Sequence, residues 1–83
     1  MAKEQRIGVI GIVIEDRSQA QRINSILSAH GDVIVGRMGI PYRERGLSVI
    51  SLIVDGNTDE IGALTGKLGT VNGVKVKSAL VTR

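Results

Sequence analysis

Two stretches of the chain, residues 7–14 (IGVIGIVI) and 47–54 (LSVISLIV), are apolar at odd and even positions alike. Successive side chains of a β-strand point to opposite faces of the sheet, so both faces of these strands are apolar. Strands of this kind are typical of sheets that are covered on both sides. The polar and apolar spacing elsewhere predicts only two helices, so another copy of the protein is expected to cover the second face.

The first half of the chain predicts a strand, a helix and a second strand. The first strand covers residues 6–14 and is followed by a polar turn. Ser18 and Gln21 have the spacing of a capping box, and Gly31 suits a left-handed stop at the end of the helix. The second strand covers residues 33–42. Pro41 lacks a backbone N–H, which favours the edge of a sheet for this strand.

The second half repeats this order, which gives a βαββαβ pattern. A helix capped by Asn57 or Thr58 runs to Gly69, and a strand covers residues 74–81. The order predicts an α+β, ferredoxin-like domain. Right-handed crossovers place both helices on one face of an antiparallel sheet with strand order 4-1-3-2. Lys75 and Lys77 are expected to protect the edge formed by the last strand.

The two apolar strands are therefore central, and they are the predicted contact surface of a homo-oligomer, either a dimer or a tetramer. Because both faces are apolar, the pattern does not tell which alternate set points outward. The candidate interface residues come from both sets: Val9, Ile10, Ile12, Val49, Ile50 and Leu52.

The composition bounds the class of protein. Eighty-three residues form one domain, 1–83, with a polar lead-in at residues 1–5. The absence of cysteine excludes disulfides and thiolate chemistry, and no apolar run is long enough to span a membrane, so a cytoplasmic protein is expected. The net charge of +3 is scattered and there is a single aromatic residue, so nucleic-acid binding is not expected.

The strongest candidate for ligand binding is the turn formed by Asp16, Arg17 and Ser18, at the end of a central strand and the start of a helix. Free N–H groups at a helix N-terminus attract anions, and an arginine can bind a carboxylate through two hydrogen bonds. The alternative interpretation is a solvated turn in which Ser18 only caps the helix.

Other motifs do not support catalysis or metal binding. The segment 62–69 contains glycines and a lysine, but the spacing and the position inside a helix differ from those of a phosphate-binding loop. Gly62 and Gly66 are instead expected to allow close packing against the sheet or the first helix. His30 is the only histidine and lacks nearby ligands, and Ser48 and Ser51 lack a base. We therefore expect no catalytic residue, no metal and no cofactor.

The sequence from Asp59 to Gly69, with Val71 and the segment 73–77, resembles the ACT-like family of iron-only hydrogenase system regulators. Glu15, Asp16 and Arg17, and Gly39, Pro41 and residues 43–44, are also similar to that family. The resemblance covers essentially the whole chain and implies a ferredoxin-like, ACT-like domain that assembles as an oligomer. It implies no catalytic or ligand-binding residues.

These observations lead to two hypotheses about function. The first is a non-enzymatic regulatory module, a homo-oligomer that binds a small effector or a partner protein at a subunit interface. The second is a structural interaction module that docks on a larger partner without a ligand. No DNA-binding motif is present in the sequence, so a role in transcription requires a separate DNA-binding partner.

Overall fold

The computed structural model describes residues 4–83. The strands are β1 (Gln5–Ile14), β2 (Ile34–Tyr42), β3 (Leu47–Asn57) and β4 (Val74–Thr82), and the helices are α1 (Ala20–Ala29) and α2 (Thr58–Gly69). Short 3-10 turns lie at Arg17–Gln19, Gly31–Val33 and Arg43–Arg45. Of the predicted lead-in 1–5, residues 1–3 lie outside the described residues, whereas Gln5 already belongs to β1.

The strands form one antiparallel sheet in the order β2-β3-β1-β4, which confirms the predicted topology read from the opposite edge. β1 pairs with β3 from Gln5 opposite Asn57 to Ile14 opposite Ser48, without interruption. β2 and β4 are the edges, as Pro41 and the lysines of β4 indicate. A bulge between Ile34 and Gly36 leaves Val35 exposed at the β2 edge.

The hydrophobic core lies between the sheet and the two helices. Even-numbered residues of the central strands point into it, and so do side chains at helical spacing on α1 and α2. The largest fully buried side chains are Ile10, Ile12, Ile14, Ile23, Leu27, Leu52, Val54, Ile61, Leu64 and Leu68. The sequence pattern left open which alternate set of residues points inward. The helices decide this, because they cover the even-numbered face of the central strands.

The helix ends agree with the sequence at α2 and differ from it at α1. Asn57 and Glu60 form a reciprocal capping box, in which the Glu60 N–H donates to Asn57 Oδ1 and the Asn57 N–H donates to Glu60 Oε1, both at 2.8 Å. The predicted capping box of Ser18 and Gln21 is wrong, because α1 begins at Ala20 and Gln19 makes no side-chain cap. A 3-10 turn capped by Asp16 occupies this position instead.

Gly31 does not provide the left-handed stop that its place after α1 suggests. Among residues 4–83, positive φ angles occur only at Gly46 and Gly73, at 66° and 74°. Gly46 ends the turn between β2 and β3, and Gly73 leads into β4. After α1 the chain continues through a second 3-10 turn, so no left-handed residue is needed there.

Candidate functional site

The face of the sheet away from the helices is largely apolar, with Lys75 and Lys77 on its β4 side, and we call it the outer face. Antiparallel partners point to the same side, so the registers define its rows. One row runs Ala79–Val9–Ile53–Gly36, and another runs Lys75–Val13–Val49–Ile40. Large hydrophobic side chains that remain exposed on or beside the sheet are Ile7, Val9, Val35, Met38, Ile40, Tyr42, Val49, Ile53 and Val81.

The size of this surface sets the chain apart from an ordinary monomer. Ile53 is 48% exposed although it lies on a central strand, and Val9 is 44% exposed. The exposed side chains come from all four strands, whereas exposed hydrophobic residues on a monomer are commonly scattered singly. A contiguous apolar patch of this kind marks an interaction surface.

The structure divides the six predicted interface residues between the two sides of the sheet. Val9 and Val49 lie on the outer face. The other four, Ile10, Ile12, Ile50 and Leu52, are buried beneath the helices and are at most 7% exposed. They cannot offer surface to a second subunit, so their inclusion is corrected: in these strands the odd-numbered set points outward.

Small residues, Gly11 and Ser51, lie at the centre of the outer face between the two rows named above. Their row reads Lys77–Gly11–Ser51–Met38. A Cβ added to Gly11 would meet only the Lys77 carbonyl oxygen, at 3.8 Å, which is an ordinary contact. Internal packing therefore does not require a glycine here, whereas the close approach of another molecule to the outer face does favour one.

Asp16, Arg17 and Ser18 lie together on an exposed turn at the end of β1. The Ser18 hydroxyl and N–H both donate to Asp16 Oδ1, at 2.6 and 3.1 Å. The backbone N–H groups of Glu15 and Asp16 donate to the Gly73 carbonyl oxygen, at 2.7 and 3.1 Å. The turn is thus anchored to the loop before β4, and the Asp16 carboxylate takes up the N–H that an incoming anion would need.

The electrostatics of this turn follow from the same contacts. The hydrogen bond from the Ser18 hydroxyl, and next the one from its N–H, lower the pKa of Asp16 below its ordinary value. Asp16 is therefore a fixed negative charge next to Arg17. The three residues of the predicted anion site do lie together. The Asp16 carboxylate, however, occupies the N–H of Ser18, and its negative charge opposes the binding of an anion there.

A cavity of about 180 Å³ lies beside the N-terminal half of α1 and is lined by Ala20, Asn24, Arg37 and the facing parts of the sheet. Arg37 Nη2 donates to Asn24 Oδ1 at 3.0 Å, which ties β2 to α1. Two further arginines of this region are Arg43 and Arg45. Those two residues remain on the exposed turn between β2 and β3.

A larger cleft, of about 500 Å³, lies on the helical face of the molecule. It is lined by Arg22, Ser25, Ile26, Ala29, Lys67 and Thr70. We call it the helix cleft. Sequence reasoning did not single out these residues, because they come from two helices that are far apart in the chain. The signal that was available is the i, i+3, i+4, i+7 spacing of the α1 residues, which shows that they share one face.

The glycines of α2 do not have the packing role predicted for them. Gly62 and Gly66 are exposed, and an added Cβ would meet nothing within 4 Å at either position. The expectation that they allow close packing against the sheet or α1 is therefore wrong. The buried face of α2 consists of Ile61, Leu64 and Leu68.

Residues 4–83 contain neither a metal-binding cluster nor a membrane-spanning helix. No group of three or more His, Cys, Asp or Glu side chains is placed to hold a metal ion. No helix in the same range is long and apolar enough to cross a membrane.

Comparison with known families gives a match over residues 6–78. The matching family is TM1266-like, described as "Iron-only hydrogenase system regulator, putative". The chain belongs to this family. The resemblance carried by the glycine-containing segment and the residues after β1 is thereby confirmed.

Solved structures support the same assignment. The uncharacterized protein TM1266 from Thermotoga maritima is 40% identical, with a TM-score of 0.87 over 94% of this chain and 99% of that one. The ACT domain of a GTP pyrophosphokinase from Chlorobium tepidum is 26% identical, with a TM-score of 0.71 over 90% and 86% of the two chains. The fold is therefore ACT-like, as predicted.

A more distant likeness concerns the fold alone. The apo form of CPII from Thiomonas intermedia, a nitrogen regulatory PII-like protein, is 12% identical with a TM-score of 0.57 over 99% of this chain and 97% of that one. The comparison with curated proteins finds no match. Family and fold together support a regulatory role.

Proposed function

We propose that the protein is a non-enzymatic regulatory module that assembles through its outer face into a homo-oligomer and binds a small effector or a partner protein. Membership of the regulator family and the ACT-like fold support the regulatory part. The single observation that carries the assembly is the apolar outer face, where Val9, Val49 and Ile53 stay exposed on central strands.

A second copy is the occupant that fits this face best. The exposed hydrophobic side chains are spread over all four strands, so a copy of the same face can cover them. Along the middle row the small residues Gly11 and Ser51 lie beside Met38, which is 64% exposed. An isologous contact requires one patch that fits itself. Seating Met38 over the small residues of the partner meets that requirement.

Light scattering coupled to size exclusion, together with two substitutions on the outer face, tests the assembly. The native protein is expected to elute as a dimer or tetramer at micromolar concentration. Ile53→Lys places a charge in the contact, and Gly11→Val adds bulk at a position where the Cβ meets only the Lys77 carbonyl oxygen, at 3.8 Å. Both variants are expected to elute as folded monomers.

The matched control is Ser28→Lys, which adds the same charge at an exposed position of α1. It is expected to leave the oligomer intact. A monomeric native protein would overturn the assembly through the outer face, and so would oligomers that survive both outer-face substitutions with an unchanged circular dichroism spectrum.

The second candidate function is a structural module whose outer face docks on a larger partner. The observation in its favour is the same apolar area, which another protein can also cover. The two are separated by mixing with purified candidate partners. A stoichiometric complex that dissolves the homo-oligomer, and that Ile53→Lys abolishes, supports the structural module.

A further inference from the structure

The helix cleft lies on the face of the molecule opposite the outer face, so assembly through the sheet leaves it open. We infer that this cleft binds a small organic anion with an apolar portion, of the class of medium-chain carboxylates. The inference does not depend on the proposed assembly. It assigns a binding site and a ligand class that are separate from the turn at Asp16.

The dimensions of the helix cleft suit a small ligand. Its volume is about 500 Å³. Ligand pockets in proteins commonly measure roughly 300–1,000 Å³. The cleft is the larger of the cavities described above, since the one beside Asn24 and Arg37 measures about 180 Å³.

The charge of the helix cleft favours an anion. Its lining includes the cations Arg22 and Lys67 and no carboxylate. Among residues 4–83, neither cation forms an ion pair, and the ion pair found there joins Arg6 to Glu4 at 2.7 Å. α1 contains no acidic residue at all. Two unpaired cations from different helices therefore face one cleft, where a carboxylate gains charge-assisted hydrogen bonds.

The polar groups around the cations add hydrogen-bonding capacity on one side. Thr70 Oγ1 donates to the Lys67 carbonyl oxygen at 2.7 Å, which fixes its hydroxyl at the end of α2. The Ser25 hydroxyl has no such hydrogen bond among the described residues, so it is available as a donor. Arg22, Lys67 and Ser25 thus line one cleft with donors that a carboxylate can accept from.

The remaining surface of the helix cleft is apolar and selects against a purely inorganic anion. Ile26 is half-buried and packs against the core, and Ala29 extends the same surface along α1. Covering apolar surface contributes about 25 cal/mol per Å², so a ligand with a hydrocarbon portion gains where phosphate does not. No aromatic side chain lines the cleft, so a nucleobase would find no stacking partner.

Titration of the ¹⁵N-labelled protein with sodium octanoate, followed by NMR, tests this site. The expected result is a saturable change of the amide shifts of Arg22, Ile26, Ala29 and Thr70. Sodium acetate lacks the apolar portion and 1-octanol lacks the charge. Octanol is expected to bind about tenfold more weakly or worse, since a charge-assisted hydrogen bond contributes about 1.5–3 kcal/mol and 1.4 kcal/mol is tenfold. Acetate is expected to bind more weakly as well, because it leaves the apolar surface of the cleft uncovered.

Charge-matched variants separate the helix cleft from the general positive charge of the protein. Arg22→Gln with Lys67→Gln is expected to weaken octanoate binding about tenfold or more. The control Arg43→Gln with Arg45→Gln removes the same charge from the turn before β3 and is expected to leave binding unchanged. If the double variant does not fold, Lys67→Gln alone replaces it in this test and is likewise expected to weaken octanoate binding.

Three outcomes would overturn the inference: no saturable shifts, equal loss in both double variants, or shifts confined to outer-face residues such as Val9 and Ile53. Octanol binding as tightly as octanoate would also overturn the ligand class. A monomeric protein that still binds octanoate in the helix cleft would overturn the proposed assembly while supporting this site, so the two failures are distinguishable.

Discussion

At the scale of single residues, Asp16 organises the turn that follows β1. Its side chain accepts two hydrogen bonds from Ser18, and its backbone is anchored on Gly73. A Cβ on Gly73 would lie 2.6 Å from the Cβ of Asp16, so the close approach and the positive φ both require glycine there. The predicted ligand turn is therefore shaped by internal contacts, which supports its interpretation as a structural element.

The first prediction concerns the pKa of Asp16. Ser18→Ala removes the hydroxyl that contributes most to lowering this pKa, so the pKa is expected to rise toward the ordinary value of 3.8. A carboxyl with a lowered pKa stabilises the fold above its unfolded pKa and loses that contribution as the pH falls through its folded pKa. The variant is therefore expected to lose less stability on acidification.

Carbon-detected NMR of the Asp16 carboxyl group over a pH titration measures this directly. Ser28→Ala, at an exposed position of α1, is the control and is expected to leave the Asp16 titration unchanged. A pKa that stays equally low in Ser18→Ala would show that another contact holds the charge.

The second prediction concerns Gly8, which lies on β1 against the backbone of β4. An added Cβ would clash with the Ala79 carbonyl oxygen and would lie 2.8 Å from Leu80 Cα. Gly8→Ala is expected to destabilise the fold by about 1–3 kcal/mol, as overpacking does. Gly39→Ala meets only Ile50 Cγ1 at 3.6 Å and is the control. Urea unfolding is the measurement, and equal midpoints would refute the predicted clash.

At the scale of elements, the two helices begin in different ways. α2 starts at a reciprocal capping box directly after β3, so the strand and the helix share one junction at Asn57. α1 starts after a 3-10 turn and has no side-chain cap of its own. The junction of β3 with α2 is therefore the more strongly specified of the two.

The third prediction follows from that difference. Asn57→Ala removes the acceptor for the Glu60 N–H and is expected to lower the free energy of unfolding by about 1 kcal/mol. Gln21→Ala, at the position that sequence spacing pairs with Ser18, is expected to have an effect near zero because the cap is absent. Thermal or urea unfolding compares them, and equal effects would contradict the assignment of the cap.

The elements themselves were predictable from the sequence, and their details were not. The six main elements and the sheet order follow from periodicity and the handedness of crossovers, and the structure confirms them. The capping box predicted at Ser18 and Gln21 was wrong because the side chain of Asp16, not that of Ser18, caps this turn. The direction in which Ile10 and Ile12 point could not be predicted because both faces of β1 are apolar. Only the position of the helices decides it.

At the scale of the whole molecule, the two faces differ in chemistry. The outer face is apolar around Val9 and Ile53, whereas the helical face carries Arg22 and Lys67 around the helix cleft. The sequence predicted an apolar contact surface on the sheet, because two strands with two apolar faces exceed what two helices can cover. It did not predict the helix cleft, because residues from α1 and α2 meet only in the folded chain.

The fourth prediction concerns the effect of assembly on stability. If the outer face is buried between copies, the melting temperature of the native protein is expected to rise with protein concentration, because association is linked to folding. Ile53→Lys is expected to melt at a temperature independent of concentration, since a charge at this central position keeps the variant monomeric and unfolding of a monomer is not coupled to association. Differential scanning calorimetry over a wide concentration range makes the comparison, and a concentration-independent native protein would contradict assembly.

The edges of the sheet limit how far an assembly through the outer face can grow. Pro41 on β2 cannot donate to an added strand, and Lys75 and Lys77 flank the other edge on β4. Strand addition, which would extend the sheet from chain to chain, is opposed at both ends. If two copies join by their outer faces, each buries the exposed apolar surface of the other. The resulting assembly has no free apolar face and no unprotected edge strand, so it is not expected to grow into fibrils.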